Sequence, residues 1–447
     1  MGGTFNGSKI LPGTYVRFKA GKKTNPAASV RGIAVVPLVG YDFGDTTAKI
    51  LTITSESPDE QIVKLGRSVY AEDNALVRYI ALALEGAATV LAYLPAGGTK
   101  ASKATTFDSS NNLTLTAVYG GTRGNKITAA IVANPVSGFD VSIYMDGQEV
   151  EKFEKLTTVA SLAAAGSKYV TATGTGNLAA TASIVLAGGT DATVTNDIWT
   201  AYLDILEKVK FNTALVPVDS STLKTAAISK VNSLRNTAGK SVQFVCVDNE
   251  ADNIGIIDVV NSFAYGDSDS LTKAQAAAWV TGQEAGGEKT TSNTYKIVPN
   301  ATKVVGELGI AAQETAVKDG KMFFSVDDEG NVILTYDINS LVNPDADQDD
   351  TYKKNRVIHT LDSFADDLRI NIKPNQYDNS PEGWDLMLGM AKSIMNNYQA
   401  DGAIKNVNLD EDITVDTARS VGDEVYFNVA LQPVDSAEKI YFTVATQ

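Results

Sequence analysis

One histidine and one cysteine are the residues whose chemistry could support nucleophilic or acid–base catalysis. Cys246 lies inside an apolar run that predicts a strand, where a thiol is buried and unreactive. His359 follows apolar Ile358 on a predicted helix with no serine or cysteine nucleophile motif nearby, so a structural or interface histidine is favoured over a catalytic one. A single histidine also excludes a His-rich metal site.

Three aspartates at alternate positions resemble the start of a calcium-binding loop. Asp345, Asp347 and Asp349 occupy the first, third and fifth positions of that pattern. The sixth position is Asp350 instead of the glycine that the turn requires, and the twelfth is Arg356 instead of a bidentate carboxylate. We therefore interpret this segment as a solvated acidic linker.

Two glycine-rich segments resemble phosphate-binding loops without their structural context. Residues 174–179 match Gly-x-Gly-x-x-Ala, but a dinucleotide site needs a helix after the glycines, and Thr181–Leu186 predicts a strand. A hairpin loop is the better interpretation. Residues 120–126 lack the Gly-Lys-Ser/Thr end of a phosphate loop and predict a turn between strands. No catalytic constellation or cofactor site emerges, which favours an assembly protein over an enzyme.

The composition is that of a globular protein with an acidic surface. The 447 residues are 44% hydrophobic and 20% charged, and at roughly 150 residues per domain this length suggests about three domains. The formal net charge of −15 repels phosphate groups, so general binding to nucleic acids or anionic membranes is not expected.

No segment has the features of a membrane span or a targeting signal. A transmembrane helix needs about 18 or more apolar residues in a row, and none occurs. Residues 1–6 lack the basic-then-apolar profile of a signal peptide, and Asn6 stands where a myristoylation motif needs Ser or Thr. The lone cysteine cannot form an intrachain disulfide, which fits folding in a reducing cytoplasm.

Changes in composition and periodicity along the chain predict a multidomain α+β and α/β protein. A central α/β sandwich domain carries an inserted small β domain, and an α+β C-terminal domain is completed by the N-terminal arm. The expected segments are an N-terminal arm (1–21), the first part of the α/β domain (22–95), the inserted mostly-β domain (96–195), the second part of the α/β domain (196–345) and the C-terminal domain (346–447).

Local patterns place the elements inside these segments. Short Thr/Ala/Gly/Val-rich runs separated by turns predict the strands of the inserted domain, with a short helix near 159–165. Apolar strands alternating with helices predict a buried sheet in the α/β domain. In the last domain two amphipathic helices precede strands at 424–431 and 438–446.

Several motifs, taken together and in order, resemble contractile phage tail sheath proteins. Lys354–Asp362, Gly402–Ile404 and Leu431–Tyr441 are similar to the C-terminal domain of that family. Leu11–Val16 resembles its arm, Arg31–Pro37 its first strand, and Tyr119–Ile127 the signature of its inserted β domain. The similarity spans essentially the whole chain and resembles most the short sheaths of Gram-positive phages and defective prophages. Asn375–Glu382 departs from it, because related sheaths usually carry a Gly-Lys-containing turn there.

The resemblance implies a mechanical function without a cofactor. Sheath subunits stack as hexameric rings around a tail tube in a stretched state, then shorten and drive the tube through the target envelope. The implied partners are other copies of the chain, the tail tube protein, and the baseplate and tail-terminator proteins; nucleic acids and membrane insertion are not implied. The implied location is the virion tail of a phage or phage-tail-like particle, assembled in the bacterial host cytoplasm.

The resemblance also implies that both chain ends add strands to a neighbour's sheet. The residues expected to do so are Thr14, Tyr15, Val16, Phe18, Ile440, Tyr441, Phe442 and Val444. Their alternating apolar pattern suits strand addition, in which backbone hydrogen bonds hold the strand and apolar side chains fill pockets. The residues alone equally allow both strands to close their own sheet.

The tube-facing residues are expected on the C-terminal domain, among Lys353, Lys354, Arg356 and Lys392, because a basic patch could meet an acidic tube. Two hypotheses from other classes stay open at this stage. One is an α/β enzyme with a β-rich accessory domain acting on an unknown small molecule; the other is a surface adhesive or binding module, supported by the Thr/Ala/Gly-rich insertion.

Overall fold

A computed structural model describes residues 26–28, 31–45, 49–71, 73–95 and 97–445. The expected N-terminal arm strand, with Thr14, Tyr15, Val16 and Phe18, lies outside the described residues. The described residues divide into two compact units: a larger one within residues 31–363 and 433–445, and a smaller one within residues 26–28 and 364–432.

The strands are short, and most belong to the larger unit. In chain order they are β1 (Ile33–Pro37), β2 (Ile50–Thr54), β3 (Thr89–Tyr93), β4 (Ser102–Thr106), β5 (Asn112–Ala117), β6 (Ile127–Ala133), β7 (Phe139–Met145), β8 (Gln148–Leu156), β9 (Val170–Thr175), β10 (Thr181–Val185), β11 (Thr213–Val216), β12 (Gln243–Val247), β13 (Ile256–Val259), β14 (Ser262–Ala264), β15 (Lys296–Ile297), β16 (Lys303–Val305), β17 (Lys321–Met322), β18 (Phe324–Val326), β19 (Val332–Leu334), β20 (Ile413–Val415) and β21 (Phe427–Val429).

The helices range from a single turn to twenty residues. In chain order they are α1 (Ile62–Leu65), α2 (Arg78–Leu84), α3 (Val159–Ala164), α4 (Asn196–Ile205), α5 (Ser221–Asn232), α6 (Lys273–Gly286), α7 (Ile310–Lys318), α8 (Asn355–Asn371) and α9 (Pro381–Ala400). Short 3₁₀ segments span Thr122–Lys126 and Asp350–Lys353, and a π-helical turn at Ser233–Thr237 extends α5.

A seven-stranded sheet forms the centre of the larger unit, in the order β17-β13-β12-β11-β1-β3-β2. All neighbouring pairs are parallel except β2 with β3, which is antiparallel. Every residue of β11, β12 and β13 is buried. Strands buried on both faces are continuous apolar runs, which is why the sequence predicts a covered sheet here.

Helices cover both faces of this sheet. On one face α2 and α6 pack against Leu215 and Val245, and on the other α4 and α5 pack against Ala214 and Phe244. Helix α6 begins with the predicted capping box, in which the Thr272 hydroxyl accepts from the Gln275 amide and the Gln275 side chain accepts from the Thr272 amide. The predicted α/β layer is therefore present.

Helices α2 and α6 cross at glycines. A Cβ atom added to Gly282 would lie 2.0 Å from the Ala83 carbonyl oxygen, and one added to Gly286 would lie 2.1 Å from the Gly86 carbonyl oxygen. Backbones this close leave no room for a side chain. The crossing fixes α6, which carries Glu284, against α2.

The inserted domain consists of two antiparallel sheets, β10-β6-β7-β8 and β4-β5-β9, whose inward residues share one apolar core. Residues 174–179 join β9 to β10, as the sequence predicts for a loop between strands. The prediction of a hairpin is wrong, because β9 pairs with β5 and β10 pairs with β6, so the loop passes between two sheets. The sequence analysis did not predict β4 and β8 of this domain, nor β2 of the seven-stranded sheet.

The smaller unit is built on α9 and the C-terminal part of α8. Helix α9 starts with the Ser380 side chain accepting from the Gly383 amide and with Pro381 in the first turn, and Gly402 beyond its end adopts a φ of 74°. Its apolar stripe packs with Phe364. Strands β20 and β21 pair antiparallel in a two-stranded sheet.

Two predicted strands near the C-terminus differ from the structure. The run 424–431 is a strand only at Phe427–Val429. The run 438–446 contains no strand in its described part, which ends at residue 445. A strand needs a hydrogen-bonding partner, and none of the described residues supplies one for this run.

Candidate self-assembly site

The C-terminal segment leaves the body of the larger unit as an apolar tip. We define the root as residues 433–439 and the tip as residues 440–445. In the tip the side chains of Phe442 and Val444 are 87% and 85% exposed, and those of Ile440 and Tyr441 are also exposed. Isolated exposed apolar residues are common on protein surfaces, but a row of four is not.

The root is held on the same unit by a buried ion pair. Lys354, directly before α8, pairs with Glu438, and their side chains are only 11% and 9% exposed. The Ser292 hydroxyl also donates to Glu438 Oε1 at 3.2 Å. Burial lowers the pKa of Lys354, although acidic neighbours oppose the shift.

Two further contacts hold the root. One involves Arg356, near the start of α8, and the other involves Tyr336, which follows β19. Arg356 Nη1 donates to the Ser436 hydroxyl at 2.6 Å. The Tyr336 ring lies 4.0 Å from Lys354 Nζ and 5.9 Å from Lys439 Nζ, so one cation from the body and one from the root share the same aromatic ring.

A buried polar network lies directly behind the root. Asp337 accepts from the Asn293 amide and from Asn355 Nδ2, each at 2.8 Å, and its Oδ2 is 3.4 Å from the Ser292 hydroxyl. Glu284 accepts from Asn293 Nδ2 at 2.7 Å. The network therefore links α6, the loop before β15, and the first turn of α8.

Burial shifts the pKa values of the ionisable members of this network. Burial and the nearby Glu284 raise the pKa of Asp337 to about 7. Burial also raises the pKa of Glu284. The pKa of His359 falls to about 3, first because of burial and then because of Arg31. At neutral pH the histidine is uncharged, as expected of a structural residue.

The four basic residues expected to face the tube are all engaged with acidic or polar groups. Lys354 and Arg356 hold the root, as described above. Lys353 pairs with Asp350 at 2.9 Å, and in the smaller unit Lys392 pairs with Asp410 at 3.0 Å. Both partners are highly exposed, so Lys353 and Lys392 remain at the surface.

The remaining candidates have structural surroundings. Burial raises the pKa of Cys246, on β12, to about 12. Asp349 caps the 3₁₀ turn at 350–353 through the Thr351 amide, in agreement with a linker. Residues 120–126 form a turn between strands, and Arg123 within it forms a bidentate ion pair with Asp146. No cluster of metal-ligating side chains occurs among the described residues, nor is any described helix long and apolar enough to cross a membrane.

Sequence reasoning missed Glu284, Asp337, Ser292 and Glu438. These residues lie far apart along the chain; Ser292 and Glu438 are separated by 146 positions. No local pattern marks a carboxylate that becomes buried only through tertiary packing. The single signal available was His359, since a histidine on an apolar helix face needs a buried polar partner.

Three family models together cover most of the chain. Residues 96–191 match the phage tail sheath protein beta-sandwich domain, residues 192–340 the phage tail sheath protein central domain, and residues 347–447 the phage tail sheath C-terminal domain.

Individual relatives extend over nearly the full length. The phage-like element PBSX protein XkdK of Bacillus subtilis (strain 168) is 31% identical, with 99% of each chain covered. The crystal structure of a sheath tail protein from Desulfitobacterium hafniense is 35% identical, covers 97% of this chain and 99% of its own, and has a TM-score of 0.83. The helical sheath of the anti-feeding prophage in its contracted state shares the fold, with a TM-score of 0.54 at 11% identity over 98% of this chain and 100% of its own.

These matches agree with the resemblance of the motifs, and they identify a structural component of a phage tail or tail-like particle, not an enzyme. The chain belongs to the phage tail sheath protein family.

Proposed function

We propose that this chain polymerises as hexameric rings around a tail tube and contracts to drive the tube through the target cell envelope. Copies are linked by terminal strands that each subunit adds to a neighbour's sheet. The observation that carries the proposal is the tip: an alternating apolar strand sequence, exposed and without a strand partner among the described residues.

Strand addition accounts for both properties of the tip. Burying a Val, Ile or Phe side chain stabilises a protein by about 1.5–3 kcal/mol, so Ile440, Phe442 and Val444 favour an apolar pocket on another copy. Their backbone groups gain a row of hydrogen bonds at the same time. The N-terminal residues Thr14, Tyr15, Val16 and Phe18 are proposed to act in the same way.

The smaller unit offers an edge that could receive such strands. Strands β20 and β21 form a two-stranded sheet, to which no third strand is added within the described residues. A two-stranded sheet is marginal by itself in water, and additional strands stabilise it. Val429 on β21 is exposed at 38%, which leaves apolar surface for an incoming strand.

Contraction in this scheme needs no nucleotide. Each of many identical subunits gains a small interface free energy in the compact state, and packed interfaces change between discrete arrangements. The tail tube protein, the baseplate proteins and the tail terminator are the further proposed partners. Assembly takes place in the bacterial host cytoplasm, and the finished sheath is part of the virion tail or tail-like particle.

Lys353 and Lys392 are the better candidates for contact with an acidic tube. Both are at the surface and paired with highly exposed aspartates, and such pairs contribute little and exchange easily. Lys354 and Arg356 are occupied by the root. Substituting the two surface lysines by glutamate should weaken co-sedimentation with tail tubes and leave the folded subunit unchanged.

The linkage is tested by electron microscopy and sedimentation of the purified full-length protein at high concentration. The wild-type chain should form tubes or stacked rings, and a chain truncated after Lys439 should not. A triple variant, Ile440→Asp, Phe442→Asp and Val444→Asp, should match the truncation, because it places charge on one face of the strand.

The matched control substitutes the opposite face, with Tyr441→Ser and Thr443→Ser, and should reduce assembly much less. Polymers that persist after truncation would remove strand donation by the C-terminus.

A further inference from the structure

The C-terminal segment changes from buried to exposed within three residues. Glu438 is buried in its ion pair, whereas Ile440 is 66% exposed. Ser292, Tyr336, Lys354 and Arg356, which contact the root, belong to the larger unit, as the root itself does. The segment therefore has a fixed part and a free part, and Lys439 marks the boundary.

We propose that Lys354, Arg356, Ser292 and Tyr336 form a clamp that anchors the root and sets the point from which the tip extends to a neighbouring copy. This inference rests on the proposed function of the tip. It adds the position of the pivot: the flexible part of the linkage begins after Lys439, and the residues before it move with the body of their own subunit.

The clamp is held in place from behind. Asn355, the first residue of α8, donates through Nδ2 to Asp337 Oδ1 at 2.8 Å and through its amide to the Asp337 carbonyl at 3.4 Å, and the Asn339 amide donates to the Lys353 carbonyl at 2.9 Å. These bonds fix the backbone on both sides of Lys354. Its ammonium group is thus directed at Glu438 by a rigid element instead of by a mobile surface chain, which is the requirement for a strong buried pair.

The contacts of the root also explain why it does not need to be a strand. Apart from an isolated β-bridge at Pro433, the contacts that hold the root to the body come from the side chains of Ser436, Glu438 and Lys439. Because the root is held by a few side-chain contacts, each contact carries a large share of its attachment. Removing one charge leaves its partner buried and unpaired, so the clamp should fail as a unit.

Trypsin provides a direct test in the unassembled protein. Lys439 is exposed, but a protease must also bind the residues before the cleaved bond, and Glu438 is held in its buried pair, so release of the root should accelerate cleavage after Lys439. The measurement is the rate at which intact-mass spectrometry detects loss of residues 440–447. Lys354→Met and Glu438→Gln should each accelerate this cleavage by about tenfold or more, because proteolysis follows the population of the open form.

The double variant Lys354→Met with Glu438→Gln should be cleaved more slowly than either single variant, since no unpaired buried charge remains. Lys273→Met is the matched control. It breaks an ion pair with Asp248 in the same unit whose side chains are 44% and 49% exposed, and it should not change cleavage after Lys439. Glu438→Gln lies in the terminal segment and is nearly isosteric, so its result does not depend on the core tolerating a change.

Wild-type cleavage rates in both single variants would overturn the clamp. Assembly then separates this inference from the one it rests on. If the truncation after Lys439 abolishes polymers while Lys354→Met polymerises as the wild type does, the tip functions without a clamp. If the truncated chain still polymerises, strand donation is wrong, and the cleavage rates alone decide whether the root is anchored.

Discussion

His359 Nε2 lies 3.2 Å from Glu284 Oε2, and neither side chain is accessible to solvent. Asp337 completes this group of buried ionisable residues in the larger unit. A histidine whose pKa is lowered and a carboxylic acid whose pKa is raised act on the pH dependence of stability in opposite directions.

The first prediction concerns the opposite effects of His359 and Asp337 on the pH dependence of stability. Between about pH 4 and 7 the folded Asp337 binds a proton that the unfolded chain has released, so its contribution to stability falls as pH rises. Between about pH 3 and 6.5 the unfolded chain binds a proton that folded His359 does not, so its contribution rises with pH. In the wild type the two slopes oppose each other between pH 4 and 6.5, and the raised pKa of Glu284 adds to the slope of Asp337.

Replacing either Asp337 or His359 should leave the pH dependence of stability that is due to the other residue. In Asp337→Asn the free energy of unfolding should rise more steeply with pH than in the wild type, and in His359→Gln it should fall, each by up to about 1.4 kcal/mol per pH unit. Glu284 interacts with both groups, so the test is the difference in sign between the two slopes and not their absolute size. Urea unfolding at pH 4.5, 5.5 and 6.5 measures the slopes, and identical slopes in the two variants would refute this account.

A second prediction concerns the bidentate ion pair between Arg235 and Asp362, whose side chains are 13% and 11% exposed. Asp362→Ala should lower the free energy of unfolding by about 3–5 kcal/mol, because it leaves the guanidinium partly buried without its carboxylate. Asp350→Ala is the control: it breaks an exposed pair with Lys353 and should cost below about 1 kcal/mol. If chemical denaturation shows the same loss of unfolding free energy in both variants, the pair between Arg235 and Asp362 is not the stabilising buried pair described here.

The close crossing of α2 and α6 gives a third prediction. Gly282→Ala should destabilise the larger unit by about 3 kcal/mol, since the methyl group would overlap the Ala83 carbonyl oxygen and force the helices apart. Gly389→Ala on α9 meets nothing within 4 Å and should stabilise its helix by about 0.5–1 kcal/mol. Thermal unfolding followed by circular dichroism distinguishes the two, and a stabilising Gly282→Ala would show that the helices are not in contact there.

The fourth prediction uses the single thiol. Cys246 is fully buried on β12 and its pKa is raised to about 12, so it should not react with a thiol reagent at pH 8 until the protein unfolds. Tyr441→Cys adds a second thiol on the exposed tip and should react at once. Rapid labelling of the wild-type protein without denaturant would contradict the burial of β12.

The central elements could be predicted from sequence because their signals are local. Continuous apolar runs predict β11 and β12, the Thr272 and Gln275 spacing predicts the start of α6, and Gly402 marks the end of α9. Each signal lies within one element and its caps, so a single sequence contains it.

Pairing between distant segments could not be predicted. The sequence predicts a hairpin between 322–326 and 332–336, and Phe324–Val326 does pair with β19, but Lys321–Met322 joins the distant seven-stranded sheet instead. Lys354 and Glu438 are likewise ordinary charged residues until folding buries them together. Which strands or charged residues pair across such long stretches of sequence depends on tertiary packing, and local sequence patterns contain no information about it.

In the proposed linkage, the exposed tip of one copy pairs with the β20–β21 edge of another, so the contact is head-to-tail and the two contacting surfaces differ. Every copy that joins presents a fresh tip and a fresh edge, so addition does not stop of its own accord. Under this proposal the subunit determines how copies join but not how many, so the length of the polymer has to be set by a component other than the subunit.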